Sequence, residues 1–388
     1  MPGPAKLRNL FFSAAVGLLL PVAVVEAVGA TSNAVQRPYR SDFALYYGTS
    51  TIGLQSGFAH IYDEGRRIQV WAALDASLRG PLQAFPVIQP PTVALFTAPL
   101  ALLPFWVAYT VWLILVAGAV LLAWWLASPG GPWSKAAHLV ALMALLPVGL
   151  GLSVGQAVFL VFASVVAAWW LLRRRLDVAA GLVLVLILLK PQEAALVPLA
   201  LLVIGRRRAF AAWVAGAAVF SAGALAAIGP GGLTAYAARA SEVSRHPEAW
   251  ASVPDLSLPS LLGGGFVGLA SIAVIAAVGL YAAWAHRERG IELPIAIAVV
   301  ASLVATPYLH EPDTVMLVAA GWLYVRSSPP VWALGFLVAG YVLVELGQAP
   351  AVGWAPIVVL EVAWLATMAA WRRREPAPAF NEASAAAA

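Results

Sequence analysis

Long apolar runs separated by short polar breaks fill almost the whole chain. They fall at 9–30, 104–127, 135–151, 155–172, 177–189, 192–205, 209–229, 266–285, 292–306, 313–325, 331–347 and 351–371. A bilayer crossing takes roughly 20 mainly apolar residues. The pattern predicts an all-α polytopic membrane protein with about 12 transmembrane helices. A further apolar stretch, 92–103, reads as a short helix lying at the membrane surface. Two longer polar stretches interrupt the series: a large first extracytoplasmic loop at 31–91 and a second at 230–265. One transmembrane domain is therefore expected over 1–374, with a Pro/Ala-rich, disordered cytoplasmic tail at 375–388.

Several runs are short for a crossing, and the breaks beside them carry polar groups: Gly155-Gln156, Lys190-Pro191-Gln192 and His310-Glu311-Pro312-Asp313. A single helix over 176–205 would be about 45 Å long. It would also set one of the triplets Arg173-Arg174-Arg175 and Arg206-Arg207-Arg208 on the opposite side from the other. Two half-spans of about 20 Å each, turning at Lys190-Pro191, keep both triplets together. The hairpin is the preferred reading. Runs 292–306 and 313–325 place His310 at a similar depth. Irregular backbone at that depth has to line a water-filled cavity or be buried in protein.

Composition excludes a soluble fold: 62% of residues are hydrophobic and 11% charged, against about 45–50% and 25% in soluble domains. The chain has no cysteine, which removes disulfides, thiolate nucleophiles and sulfur-ligated metals. The net charge of +5 comes from arginines grouped at the ends of apolar runs. That is the positive-inside signal and not a nucleic-acid groove. Alternating the runs places 15 of the 23 basic residues on one side, so both termini are expected in the cytoplasm. Sixteen tryptophans, with pairs at Trp124-Trp125 and Trp169-Trp170, suit interfacial belts. Lys6 and Arg8 before an apolar run, with Val28-Gly29-Ala30 after it, also suit a signal peptide. The many spans that follow favour a retained first helix.

Candidate chemistry lies in the polar breaks. The first loop has helical patches around Phe43–Ser50 and Arg67–Leu78, and Pro81, Pro86, Pro90 and Pro91 force an extended return. Asp42 follows the first span and suits a general base for an attacking hydroxyl. Ser41 or Asp42 equally suits a helix N-cap. Lys190 suits phosphate neutralisation as a point charge, or a snorkelling role. His310 and Asp313 suit hydrogen bonds to a phosphate or sugar hydroxyl, or a cap at the mouth of a span. Too few ligands gather there to predict a metal. The Gln156 amide suits sugar hydroxyls or a turn cap. The second loop, with Arg239, Glu242, Arg245, His246, Glu248, Asp255 and Ser257, suits a cover over substrate or a solvated connector. Leu258–Gly265 reads as a shallow re-entrant turn with glycine hinges. Glu26 and Glu361 lie within spans and are expected to face the protein interior. No P-loop, GxSxG, HExxH or dinucleotide GxGxxG pattern sits in its required context.

The order of these features resembles glycosyltransferase family 87. Ser41-Asp42-Phe43-Ala44-Leu45-Tyr46-Tyr47 and Gly57-Phe58-Ala59-His60-Ile61-Tyr62-Asp63 look like its first outer loop. Gln89-Pro90-Pro91, Gly155-Gln156, Lys190-Pro191, Leu256-Ser257-Leu258 and Thr306–Asp313 follow in its order, from about residue 40 to 315. The resemblance implies a GT-C-like, inverting enzyme. It would move a hexose, expected to be mannose, from a polyprenyl-phosphate donor to a glycolipid or cell-envelope glycan on the extracytoplasmic face of the plasma membrane. It also implies Asp42 as base and Lys190 and His310 around the donor phosphate, where the charge of Arg245 suits the same anion. Gln156, Tyr46 and Asp313 would stand near sugar or acceptor. The lipid phosphate leaves as an anion, so no cofactor or metal is required, and no nucleic-acid partner is expected. Gln89 departs from the family's aromatic-Pro-Pro turn, and Glu311-Pro312 departs from its pattern after His310. A secondary transporter or lipid flippase is the alternative. It predicts inverted repeats and a midplane site, and no repeat is visible by eye.

Overall fold

A computed structural model describes residues 4–75, 88–245, 255–347 and 352–371, without the side chains of 4–12 and 243–245. These residues are almost wholly helical. The elements are α1 (Pro4–Gln36), α2 (Asp42–Ser56), α3 (Glu64–Leu74), α4 (Pro91–Thr97), α5 (Phe105–Ala127), α6 (Pro132–Ala144), α7 (Leu146–Val154) and α8 (Val158–Arg173). Then come α9 (Asp177–Val183), α10 (Leu196–Val203), α11 (Arg207–Arg245), α12 (Leu258–Leu261), α13 (Gly265–Ala285), α14 (Glu292–Val304), α15 (Met316–Arg326), α16 (Gly335–Leu346) and α17 (Ala355–Ala370). Each apolar run read from the sequence coincides with one of these helices or with two in tandem.

Among the described residues, four helices are long and apolar enough to cross a bilayer singly: Ser13–Gln36, Phe105–Ala127, Arg207–Glu242 and Gly265–Ala285. The pair α6 and α7, bent by 66°, makes a fifth if counted as one span. Twelve crossings are not established by this criterion, because the remaining apolar helices are shorter, as Val158–Arg173 and Glu292–Val304 illustrate. At the α6–α7 bend the broken ladder frees the Leu146 N–H, which donates to Glu345 Oε1 at 3.0 Å. A kink within an apolar bundle needs such a partner.

The core is built around α8 and α14. Nearly every residue of both is buried, from Val158 to Ala168 and from Leu293 to Val304. Helices apolar all round belong in such positions. The stretch after α9 tightens into a 3₁₀ segment, Leu184–Leu189, and turns at Lys190. The chain then returns through α10. Arg206 Nη1 lies 3.7 Å from Asp177 Oδ1, so both ends of the 177–205 hairpin meet and both arginine triplets share one end of the bundle. The same end holds Arg326, whose guanidinium donates to the Ala127 and Ser128 carbonyls at 2.8 and 3.0 Å. Arg173, 3.7 Å from Glu292, lies there too.

Two sequence expectations change. The second loop does not begin at 230, because α11 runs on to Arg245 across a kink at Gly229 (φ 60°, ψ −175°). Glycine takes that left-handed φ without penalty, and Pro230 opens the next helical segment, where its missing N–H is not needed. The distal half packs on loop one: a Cβ on Gly232 would stand 3.3 Å from Ala59 Cα, and the Tyr236 and Tyr62 rings lie 5.1 Å apart. The helical patch expected to Leu78 ends as α3 at Leu74. Pro81 and Pro86, His246 and Glu248, and the tail 375–388 lie outside the described residues.

Candidate active site

Of Ser41 and Asp42, which the sequence left equally suited to cap a helix, Ser41 takes the capping role. Ser41 has extended backbone (φ −90°, ψ 157°), and its Oγ accepts the Ala44 N–H at 3.1 Å, so Ser41 is the N-cap of α2. Asp42 opens the helix with its carboxylate unspent on capping. An aromatic floor fixes the helix. Phe43 is fully buried and stacks on Trp112 at 5.4 Å, with Tyr109 at 5.8 Å and Phe105 at 6.1 Å. Trp71 Nε1 donates to the Ala44 carbonyl at 3.1 Å, and Ser50 Oγ donates to the Ala94 carbonyl at 2.9 Å.

Gln156 reaches this carboxylate through a glycine turn. Gly155 is left-handed (φ 68°, ψ 45°) and ends α7. Its carbonyl accepts from Trp112 Nε1 at 2.7 Å, and a Cβ there would stand 3.1 Å from the same indole and 3.3 Å from Phe43 Cβ. Both the dihedral and the close approach require glycine. The turn aims Gln156 at loop one, and its Nε2 donates to Asp42 Oδ2. Gln156 Oε1 is buried and has no hydrogen-bond partner among the described residues. Burial pushes the Asp42 carboxyl up to about 6; the Lys190 ammonium opposes the shift, the Asp313 carboxylate adds to it and the Gln156 hydrogen bond opposes it. Tyr46, one helical turn on, is 4% exposed, and burial followed by the Asp42 charge holds its phenol protonated.

Lys190 and Asp313 join the two turns at the same end. Lys190 Nζ is hydrogen-bonded to Asp313 Oδ1 and lies 3.8 Å from Glu193 Oε1. The other Asp313 oxygen accepts the His310 N–H at 3.1 Å, so Asp313 is fully buried with both oxygens engaged. Gln192 Nε2 donates to Tyr308 Oη at 3.1 Å, and the Tyr308 and His310 rings lie 5.5 Å apart. The Leu256-Ser257-Leu258 segment docks on this turn. The Leu256 N–H donates to the Leu309 carbonyl at 2.8 Å, while Asp255 Oδ1 accepts the Ser257 and Leu309 N–H groups at 3.0 Å each.

Asp42, Tyr46, Gln156, Lys190, His310 and Asp313 therefore gather at one end of the bundle. For Arg245 the structure describes only its place at the C-terminus of α11. Reading the sequence missed Glu193, which is fully buried beside Lys190, and the Gln192–Tyr308 link. Glu193 stands one turn after Lys190. A third charge in an otherwise apolar hairpin was the available signal.

Glycosyltransferase family 87 matches residues 88–309. No curated protein and no solved structure matches the chain. Asp42, Tyr46, His310 and Asp313 fall outside the matched stretch, but Gln156 and Lys190, within it, bond directly to Asp42 and Asp313. The match takes in more than half of the 388 residues, and with the long apolar helices it establishes this chain as a multi-pass membrane glycosyltransferase of family 87.

Proposed function

We propose that the protein is an inverting, GT-C-like enzyme that moves a hexose, mannose by resemblance, from a polyprenyl-phosphate donor to a lipid-linked or cell-envelope glycan. The reaction takes place on the extracytoplasmic face of the plasma membrane, and both termini are cytoplasmic. On this reading the shorter apolar helices cross as well and complete about twelve spans. The observation that carries the proposal is the meeting of Asp42 with Gln156, Lys190 and Asp313 at the end of the bundle opposite the arginine triplets.

Asp42 takes the proton of an acceptor hydroxyl as its oxygen bonds to the anomeric carbon. The bond from that carbon to the phosphate oxygen breaks on the opposite side. The polyprenyl phosphate departs as an anion, so no proton donor is needed. His310, Lys190 and Arg245 stabilise the charge that builds on it. Asp313 and Glu193 hold the Lys190 ammonium at the head of its hairpin. The open amide oxygen of Gln156 and the Tyr46 phenol suit sugar hydroxyls, since a buried acceptor without a partner is stabilised by receiving a hydrogen bond.

Purified protein in lipid bilayers, given radiolabelled polyprenyl-phosphate mannose and a crude glycolipid extract, is expected to label a glycolipid. If the donor equilibrates between leaflets and no product forms, the protein is a flippase and the proposal fails. If only a different polyprenyl-phosphate hexose transfers label, the mechanism stands and the sugar assignment is wrong.

A further inference from the structure

The end of the bundle remote from the candidate active site concentrates positive charge far beyond what its carboxylates balance. The turn after α8 carries Arg173, Arg174 and Arg175, and the turn before α11 carries Arg206, Arg207 and Arg208. The two turns are separated in sequence by the whole 177–205 hairpin, yet they are neighbours in space. Arg206 pairs with Asp177 at 3.7 Å. The α9 helix and the 3₁₀ segment after it run beside α11: a Cβ on Gly181 would clash with the Ala209 carbonyl oxygen, and one on Gly216 would meet Val185 Cγ2 at 2.6 Å.

Two of the six guanidinium groups have an acid beside them, Arg206 with Asp177 and Arg173 with Glu292, each at 3.7 Å. Arg174, Arg175, Arg207 and Arg208 are exposed and have no ion-pair partner among the described residues. The Arg174 guanidinium lies over the Trp170 ring at 3.8 Å. Stacking fixes its plane and leaves its edge N–H groups free to donate, the arrangement that suits a phosphate. Apolar side chains border the same patch and face outward: Leu176 is 50% exposed, Val178 56% and Leu182 51%. The surface thus sets exposed arginines of two adjacent turns beside an apolar flank that runs along α9.

We infer that the two arginine turns form a binding site for an anionic phospholipid headgroup carrying more than one phosphate charge, with an acyl chain along Leu176, Val178 and Leu182. Orientation by the positive-inside rule needs basic residues in the inner loops. It does not need two triplets to converge, nor four of the six arginines to go without an acid. The apolar flank selects a membrane lipid over a soluble polyanion. Basic pockets between transmembrane helices suit such headgroups. The proposal does not depend on the sugar or acceptor assigned above, because it concerns the other end of the molecule.

The test uses the full chain, purified in neutral detergent, stripped of lipid and titrated in turn with cardiolipin, phosphatidylcholine and inorganic pyrophosphate. Bound adducts are counted by native mass spectrometry. The expected result is cardiolipin binding on the order of tenfold or more tighter than phosphatidylcholine, with pyrophosphate a weak competitor. R174Q/R175Q/R207Q/R208Q removes that preference, while R287Q/R289Q, which neutralises arginines of another turn, keeps it. If the fourfold variant does not fold, R174A and R207A are expected each to weaken the preference. Equal binding of both lipids overturns the inference, as does a folded fourfold variant, or both single variants, binding as the native protein does. Pyrophosphate binding as tight as cardiolipin overturns the lipid assignment.

Discussion

Two adjacent residues, Ser41 and Asp42, decide whether the first loop carries chemistry. Either side chain can cap a helix, so the sequence shows that one of them does without showing which. The backbone settles it, because extended Ser41 sits where its Oγ meets the Ala44 N–H. Ser41→Ala is expected to lower stability by about 1 kcal/mol and to leave turnover near normal, as read by thermal unfolding and transfer assay. A matching loss of stability with Asp42→Ala would mean that the cap is misassigned. The elevated Asp42 carboxyl has a kinetic consequence. A base acts in its ionised form, so transfer should rise as pH climbs through about 6 and level off above it. Gln156→Leu removes a hydrogen bond to the ionised form, so the midpoint should move upward. A flat rate between about pH 5 and 7 would rule out this carboxylate as the titrating base.

At the scale of elements, the hairpin of 177–205 was legible because two arginine triplets would otherwise lie on opposite sides, and the Arg206–Asp177 pair joins its ends. The continuation of α11 was not legible. Gly229-Pro230 reads as a stop, and in isolation that pair ends helices. Packing of Gly232 and Tyr236 on loop one restarts the helix. The candidate site was half legible for a similar reason. Lys190 and Asp313 stood out as charges among apolar residues, but their pairing spans 123 positions and no local pattern encodes it. Glu193 was passed over although it faces the same ammonium. Lys190→Met leaves two buried carboxylates without their cation, and loss of one partner of a buried pair costs about 3–5 kcal/mol. Lys190→Met/Asp313→Leu should recover part of that loss without recovering transfer. If Lys190→Met unfolds at the temperature of the native protein, the two turns are held together by something else.

The whole molecule has two chemically opposite ends. Helix α8, about 24 Å long, starts beside Gln156 and finishes at Arg173. One end gathers the polar turns and loop one, and the other gathers the two arginine triplets, Arg326 and the Trp169-Trp170 pair on which Arg173, Arg174 and Arg326 lie. Composition alone made the membrane class legible. The number of crossings was not, since several apolar helices are shorter than a bilayer and length cannot separate a short span from a buried helix. The absence of cysteine makes the orientation measurable. A cysteine at exposed His60 should react with an impermeant maleimide on intact cells, and one at Glu288, 85% exposed at the arginine end, should not. The reverse labelling would turn the molecule over and place the site in the cytoplasm.

The most direct test of the central claim compares native protein with Asp42→Asn in lipid bilayers, both verified as folded, on one labelled polyprenyl-phosphate hexose and one glycolipid extract. Removing a general base typically slows turnover by about a hundredfold to ten-thousandfold. We predict a loss in that range with donor binding retained. Equal transfer by the two proteins would contradict the account, leaving Asp42 a buried partner of Gln156 and the base elsewhere.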